Sequence, residues 1–338
     1  MLFAVRGVPI HTRALAIELR HASASEVEFR GTLLDLRKRG FVPVAGDLQG
    51  TGIIHHMRVA GDIDRAARVL RRIAAEMPSV AFEASPSTGG ESCRDPIAAV
   101  QGLAGTPLAD GYARRVGGEI GGPRGCSHVL TLTQLLGPTA IWALAEDSGA
   151  DGRAPERRAG ERIFTRDVVV DGTATDAGDL HLALQLTDLH FRPSPELAPA
   201  AERFERQLEV RIAATLGMSE MRVTEAAIAE RRRGRDDFET APWRERPERA
   251  RALHGASLRA GITSHLLREI GAPGRDQPLL DALLMLAPAT IQCFASFSDT
   301  WTRMRPSDAA VETGGYPDSC YMWRRDGELG RRRAGDAS

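Results

Sequence analysis

The sequence predicts an α+β protein made by tandem duplication. Each copy is an antiparallel β-sheet followed by packed helices, and a pseudo-twofold axis relates the two. Three observations predict this. Stretches of alternating apolar and polar residues open each half, and apolar runs of helical character close it. The helical part of the first half then recurs 150 positions later without gaps. Leu103 falls on Leu253, Gly105 on Gly255, Leu108 on Leu258, Gly111 on Gly261, Glu119-Ile120-Gly121 on Glu269-Ile270-Gly271, Pro138 on Pro288 and Ile141 on Ile291.

In chain order, His11–Leu19 and Val27–Leu36 alternate and predict strands. Phe41–Gly52 is punctuated by Gly and Pro and predicts a loop, and Ile53–Asp64 predicts a further strand ending in a turn. Arg65–Met77 has helical composition, but its counterpart in the second half, Leu208–Leu216 leading through Gly217 into Met221–Ala229, has the form of a β-hairpin. Val69–Met77 is therefore assigned as a strand. Pro78–Ser92 is loop, and Asp95–Leu103, Pro107–Val116 and Ser127–Ala145 are predicted helices. The division that follows is a first copy over 1–148, a linker over 149–160, a second copy over 161–300 and a C-terminal tail over 301–338.

Bulk properties exclude several classes. Hydrophobic residues make up 42% and charged residues 26% of the 338, with a formal net charge of -1, so no global field favours nucleic acid or an anionic membrane. Lys38 is the only lysine, and the arginine clusters, including Arg231–Arg235 and Arg331–Arg333, read as solvated faces or tails of an arginine-biased composition. The four cysteines, Cys93, Cys126, Cys293 and Cys320, are too sparse for a disulfide scaffold and point to reduced thiols in the cytoplasm. No signal peptide and no run of about 20 apolar residues is evident. A small-molecule ligand is the expected partner, with neither nucleic acid nor membrane.

One stretch carries chemistry. Gly117–Gly125, rich in glycine, delivers Cys126-Ser127-His128 to the start of an apolar helical run. The repeat keeps the apolar residues and a glycine-poorer turn, Gly271-Ala272-Pro273-Gly274, but not these groups. Cys126 falls on Asp276 and His128 on Pro278, Cys93 falls near Trp243, and aligning the hairpins puts His55 on Leu208. Residues that serve packing should survive in both copies, so the asymmetry marks Cys93, Cys126, His128 and His55 as chemical. Mixed Cys/His ligation suits zinc or iron, with His55, Cys93, Cys126 and His128 as the ligand set. Alternatively, Cys126 at a helix N-terminus is a thiolate nucleophile with His128 or His55 as its base. The structural alternative makes Cys126 a buried small hydrophobe and the glycines a tight turn. Cys320, in the tail segment Ser319–Arg324, could fold back toward the site.

The same residues carry a family resemblance. His11-Thr12-Arg13, Gly31-x-Leu33-x-Asp35, Ile54-His55-His56-Met57, Asp62-x-Asp64, Cys93, Leu103-x-Gly105 and Gly125-Cys126-Ser127-His128 resemble the bacterial domain-of-unknown-function family 2889 over residues 10 to 145. The family's usual last motif is Gly-Cys-Thr-His-Leu, from which Ser127 and Val129 depart. The resemblance implies a site and no settled activity. The order of strands then helices is also similar to iron–sulfur scaffolds of the NifU type, at the level of fold alone. Two functions follow as expectations. The leading one is a small-molecule enzyme of hydrolase or lyase type with a Cys/His metal site in the first domain, where Cys126 and His128 would be catalytic. The other is a non-catalytic accessory protein, such as a sulfur or iron–sulfur carrier.

Overall fold

The computed structural model describes residues 7–40, 42–44, 47–148, 153–194, 199–258, 261–270, 274–297 and 315–334. Its centre is one ten-stranded antiparallel sheet in the order β12-β11-β10-β9-β8-β1-β2-β5-β6-β7. The first half supplies β1 (Val8–His21), β2 (Glu26–Arg37), β5 (Gly52–Asp64), β6 (Val69–Ser79) and the short β7 (Thr106–Pro107). The second half supplies β8 (Arg162–Ala174), β9 (Leu180–Phe191), β10 (Phe204–Gly217), β11 (Arg222–Gly234) and β12 (Arg244–Glu245). Each half is a meander running outward from the middle, and the halves join where β1 pairs with β8 from Val8↔Ala174 to Arg20↔Arg162. Val69–Met77 lies within β6, as the hairpin argument requires.

The alternation is strict in β1 and β2. Leu15, Ile17 and Leu19 on β1 and Val27, Phe29 and Leu33 on β2 point to one buried face, and the residues between them are half-exposed. Helices cover the buried face. α1 (Tyr112–Ile120) and α2 (Ser127–Asp147) follow the first meander, with α2 packed on β2, β5 and the central strands. In the second half, α3 (Ala200–Arg203) precedes β10, and α4 (Pro247–Leu253), α5 (Ile262–Ile270), α6 (Gln277–Leu284) and α7 (Leu286–Ala295) follow the meander. α6 lies over β9 and β10, while α7 reaches back across the seam onto β1 and β8. Gln277–Phe294 is the one run among the described residues long and apolar enough to cross a membrane, and here it forms α6 and α7, with 61% of it buried in the core.

The sequence-based boundaries need three corrections. Residues 41–52 contain a two-stranded ribbon, β3 (Val42–Val44) with β4 (Asp47–Gln49). Asp95–Leu103 forms tight three-residue turns rather than an α-helix. The helix expected over Pro107–Val116 runs instead from Tyr112 to Ile120, because Pro107 is spent in β7 against Val69 and Gly111, at φ 90°, turns the chain just before the helix.

Candidate metal centre

A single row across three strands builds the site. Arg13 on β1, Asp35 on β2 and His55 on β5 are successive Cα partners, so all three project onto the helix-covered face. Asp35 is the hub and is fully buried. Arg13 donates to it twice, Nε to Oδ1 and Nη2 to Oδ2, both at 2.8 Å. His11 Nε2 lies 3.1 Å from Oδ1. α2 then lowers His128 onto the row from above. His55 Nδ1 and His128 Nε2 each stand 3.3 Å from Asp35 Oδ2, and the two imidazoles stack with centroids 3.7 Å apart.

Neither imidazole nitrogen that faces Asp35 makes a well-aligned hydrogen bond, although both are shut away from solvent and His55 still interacts with the carboxylate. Such poorly satisfied polar atoms are costly in a protein interior. The three atoms lie within 4.8 Å of one another, and Asp35, His55 and His128 are the only such group of His, Cys, Asp or Glu among the described residues. An ion bound at about 2.0–2.1 Å by each atom in tetrahedral geometry would set them roughly 3.3 Å apart, so the spacing to the carboxylate fits.

Electrostatics prepare the same atoms. Burial alone would raise the Asp35 carboxyl, but the Arg13 charge and its hydrogen bonds, with help from His11 and His55, hold it well below the usual carboxylate range. Burial lowers both His55 and His128; for His128 the neighbouring His55 adds to the effect, and for His55 Asp35 opposes it in part. At neutral pH the hub is a carboxylate facing two neutral imidazoles, the protonation state that a ligand set requires.

The four residues expected to bind metal divide. His55 and His128 meet, with Asp35 as the third group in the place expected of sulfur. Cys126 is adjacent, its Sγ 3.6 Å from His128 Nδ1, on the side of the ring away from Asp35. Cys93 lies outside the converging group and packs with Phe82, Cys320, Tyr321 and Trp323 around Met322 and Leu329. The alternative expectation is a thiolate at Cys126. The residue does cap α2, and the N–H groups of His128 and Val129 favour its anion, but burial dominates and pushes the thiol up to about 11. The glycine loop is a tight turn. A Cβ at Gly125 would sit 2.2 Å from the Ile120 carbonyl oxygen, so the glycine permits backbone to pass against backbone just before Cys126. His56 points off the row toward Arg58, and Asp62 and Asp64 pair with Arg72 and Arg71.

Every group in the cluster, from His11 to His128, falls within one family-model match. Residues 11–142 match the model of a protein family of unknown function, DUF2889. No curated protein and no solved structure matches the chain. The DUF2889 region thus contains the whole Asp35–His55–His128 cluster, while the rest of the chain adds two features to it.

The first addition is α7, which crosses onto β1 and brings Gln292 beside His128 and Cys293 near Arg13 and Asp35. The second is a parallel row outside the DUF2889 region. Arg166 on β8 and Asp188 on β9 are Cα partners 22 residues apart, the spacing of Arg13 and Asp35, and Leu208 on β10 takes the next place. Arg166 binds both oxygens of Asp188 at 2.7 Å and also Asp281 of α6. Thr139 of α2 accepts from Arg166 Nη1 at 3.0 Å across the seam. Burial raises the Asp281 carboxyl to about 6 against the pull of Arg166. Where the first row ends in two imidazoles, this one closes on itself as an ion cluster.

Proposed function

We propose that the first half is a metal-dependent small-molecule enzyme of hydrolase or lyase type, with Asp35, His55 and His128 holding one zinc or ferrous ion. The observation that carries this reading is the convergence of two buried imidazole nitrogens on one carboxylate oxygen, each 3.3 Å from it. Three protein ligands leave coordination positions open, the arrangement of catalytic rather than structural sites. The ion would supply Lewis acidity and lower the pKa of a bound water. The protein's own part is to orient. Arg13 and His11 fix the carboxylate, and His128 Nδ1, 3.6 Å from Cys126 Sγ, would carry the ring proton and so leave Nε2 to ligate.

The two halves read as tandem copies about a pseudo-twofold axis between β1 and β8. The mirrored strand order and the matched Arg–Asp rows support this. On this reading Asp281, which meets Arg166, occupies the place of His128, three residues beyond the Pro278 that ungapped alignment selects, and the second copy keeps an ion pair where the first keeps ligands. The nearness of Cys126 and Cys320 to Cys93 favours a second reading, a sulfur or iron–sulfur carrier.

Elemental analysis of the purified full chain tests both. The enzyme reading expects about one zinc or iron per chain, lost in His55→Gln and His128→Gln and retained in Cys126→Ser. Iron with a visible chromophore, lost in Cys126→Ser, would decide for the carrier. Wild-type protein free of metal after exposure to zinc and ferrous iron would sink both.

A further inference from the structure

The end of the chain returns to the first half and settles on the turn that leads to His128. The Tyr321–Trp323 turn packs there, and the helix Glu328–Ala334 lies against residues 86–91. Trp323 meets Phe82 edge-on at 5.8 Å, Arg324 pairs with Glu91, and Arg332 reaches the Pro86 carbonyl at 3.3 Å. One backbone bond fixes the register. Tyr321 N–H donates to the Gly125 carbonyl at 2.9 Å. Cys320 and Cys126 therefore flank one inter-segment hydrogen bond, as residues of a directly opposed, non-hydrogen-bonded antiparallel pair do. In such pairs the Cα atoms lie about 4.5 Å apart, within the roughly 4.4–6.8 Å that a disulfide spans. Both are free thiols. Cys126 is buried, while Cys320 keeps partial access to solvent.

We propose that Cys126 and Cys320 are a reversible thiol–disulfide pair, oxidised by a small disulfide of the glutathione type. The thiolate of Cys320, the more accessible sulfur, attacks one sulfur of the co-reactant. That S–S bond breaks and the first small thiolate leaves, taking up the proton that Cys320 gave. Cys126 loses its proton and attacks the Cys320 sulfur, which expels the second small thiol and forms the internal bond. The two cysteines give up two electrons and two protons, and the co-reactant gains both. The product straps the C-terminal segment covalently to the cap of α2 and draws the Cys126 sulfur away from His128 Nδ1. The pair forms whether or not Asp35, His55 and His128 hold an ion.

Equilibrating the full chain at graded ratios of oxidised to reduced glutathione, trapping free thiols with N-ethylmaleimide and mapping unreduced peptides tests this. A linked 126–320 peptide is expected. It should persist in Cys93→Ser, vanish in Cys320→Ser and be lost on return to excess reduced glutathione. Full alkylation of Cys126 and Cys320 at the most oxidising ratio would overturn the pairing, as would a link through Cys93 in place of Cys126. Metal content of the same samples, measured separately, bears only on the metal reading.

Discussion

At the scale of single residues, the interior carries ionisable groups whose titration sets how stability depends on pH. His190 is the cleanest case. It is buried against the edge of Phe164, and burial, with Arg206, Arg166 and Arg232 nearby, lowers it to about 3. Its folded value lies below the unfolded one, so the unfolded chain takes up the proton first. The stability it contributes is complete above about pH 6.5 and is lost as pH falls toward 3. His55 and His128 act in the same sense. Asp281, raised to about 6, acts oppositely, its contribution being lost as pH rises through that value. His190→Phe should therefore flatten the fall in unfolding free energy between about pH 6 and 4 by close to 1.4 kcal/mol per pH unit. Urea titrations of wild type and variant at several pH values measure this, and parallel curves would refute it. The same scale explains what the sequence reveals of the site. His55 and His128 stand out because the second half lacks them at the matched positions. Asp35 does not, because an aspartate in an alternating strand has no visible partner until the β1–β2–β5 register sets Arg13 on one side of it and His55 on the other.

At the scale of elements, α2 decides whether the cluster forms, since it carries His128 at its first turn and must lie close over the sheet and α1. Two glycines permit that approach. A Cβ at Gly31 would come within 2.8 Å of Val59 Cγ2 and 3.3 Å of Leu132 on α2. A Cβ at Gly137 would come within 2.3 Å of the Tyr112 ring, which is held in turn by its hydroxyl donating to the Thr133 carbonyl at 2.9 Å. Alanine should gain about 1 kcal/mol of helix propensity at position 137, but the ring is buried and anchored and cannot yield. Overpacking of this kind costs about 1–3 kcal/mol, so Gly137→Ala should lower the urea midpoint, whereas a raised midpoint would show that α1 and α2 separate freely. The order of the long strands and of α2 is legible from periodicity, whereas β6 is legible only through its likeness to the hairpin of the second half. The start of α1 is not legible, because Pro107 is drawn into a two-residue strand by a partner, Val69, far back in the chain.

At the scale of the whole molecule, the halves are not separable bodies joined by a linker. Matching sequence positions 150 residues apart do not say which strand edges the halves share, and the pairing of β1 with β8 is visible only in the fold. That seam satisfies the edge of β1 along nearly its whole length, from Val8 to Arg20. Contacts cross it in both directions: Thr139 of α2 reaches Arg166, and α7 covers β1. A fragment spanning 1–148 would keep Asp35, His55 and His128 but leave β1 as a long open edge that has also lost the cover of α7. Unpaired edges of that length and character recruit other strands. The fragment should therefore self-associate, and its oligomers should bind metal more weakly than the full chain does, because Gln292 no longer stands beside His128. Size-exclusion chromatography with light scattering, followed by zinc titration, measures both. A monomeric fragment with full-chain affinity would mean that the second half contributes neither edge nor cover, and that the first half alone is the functional unit.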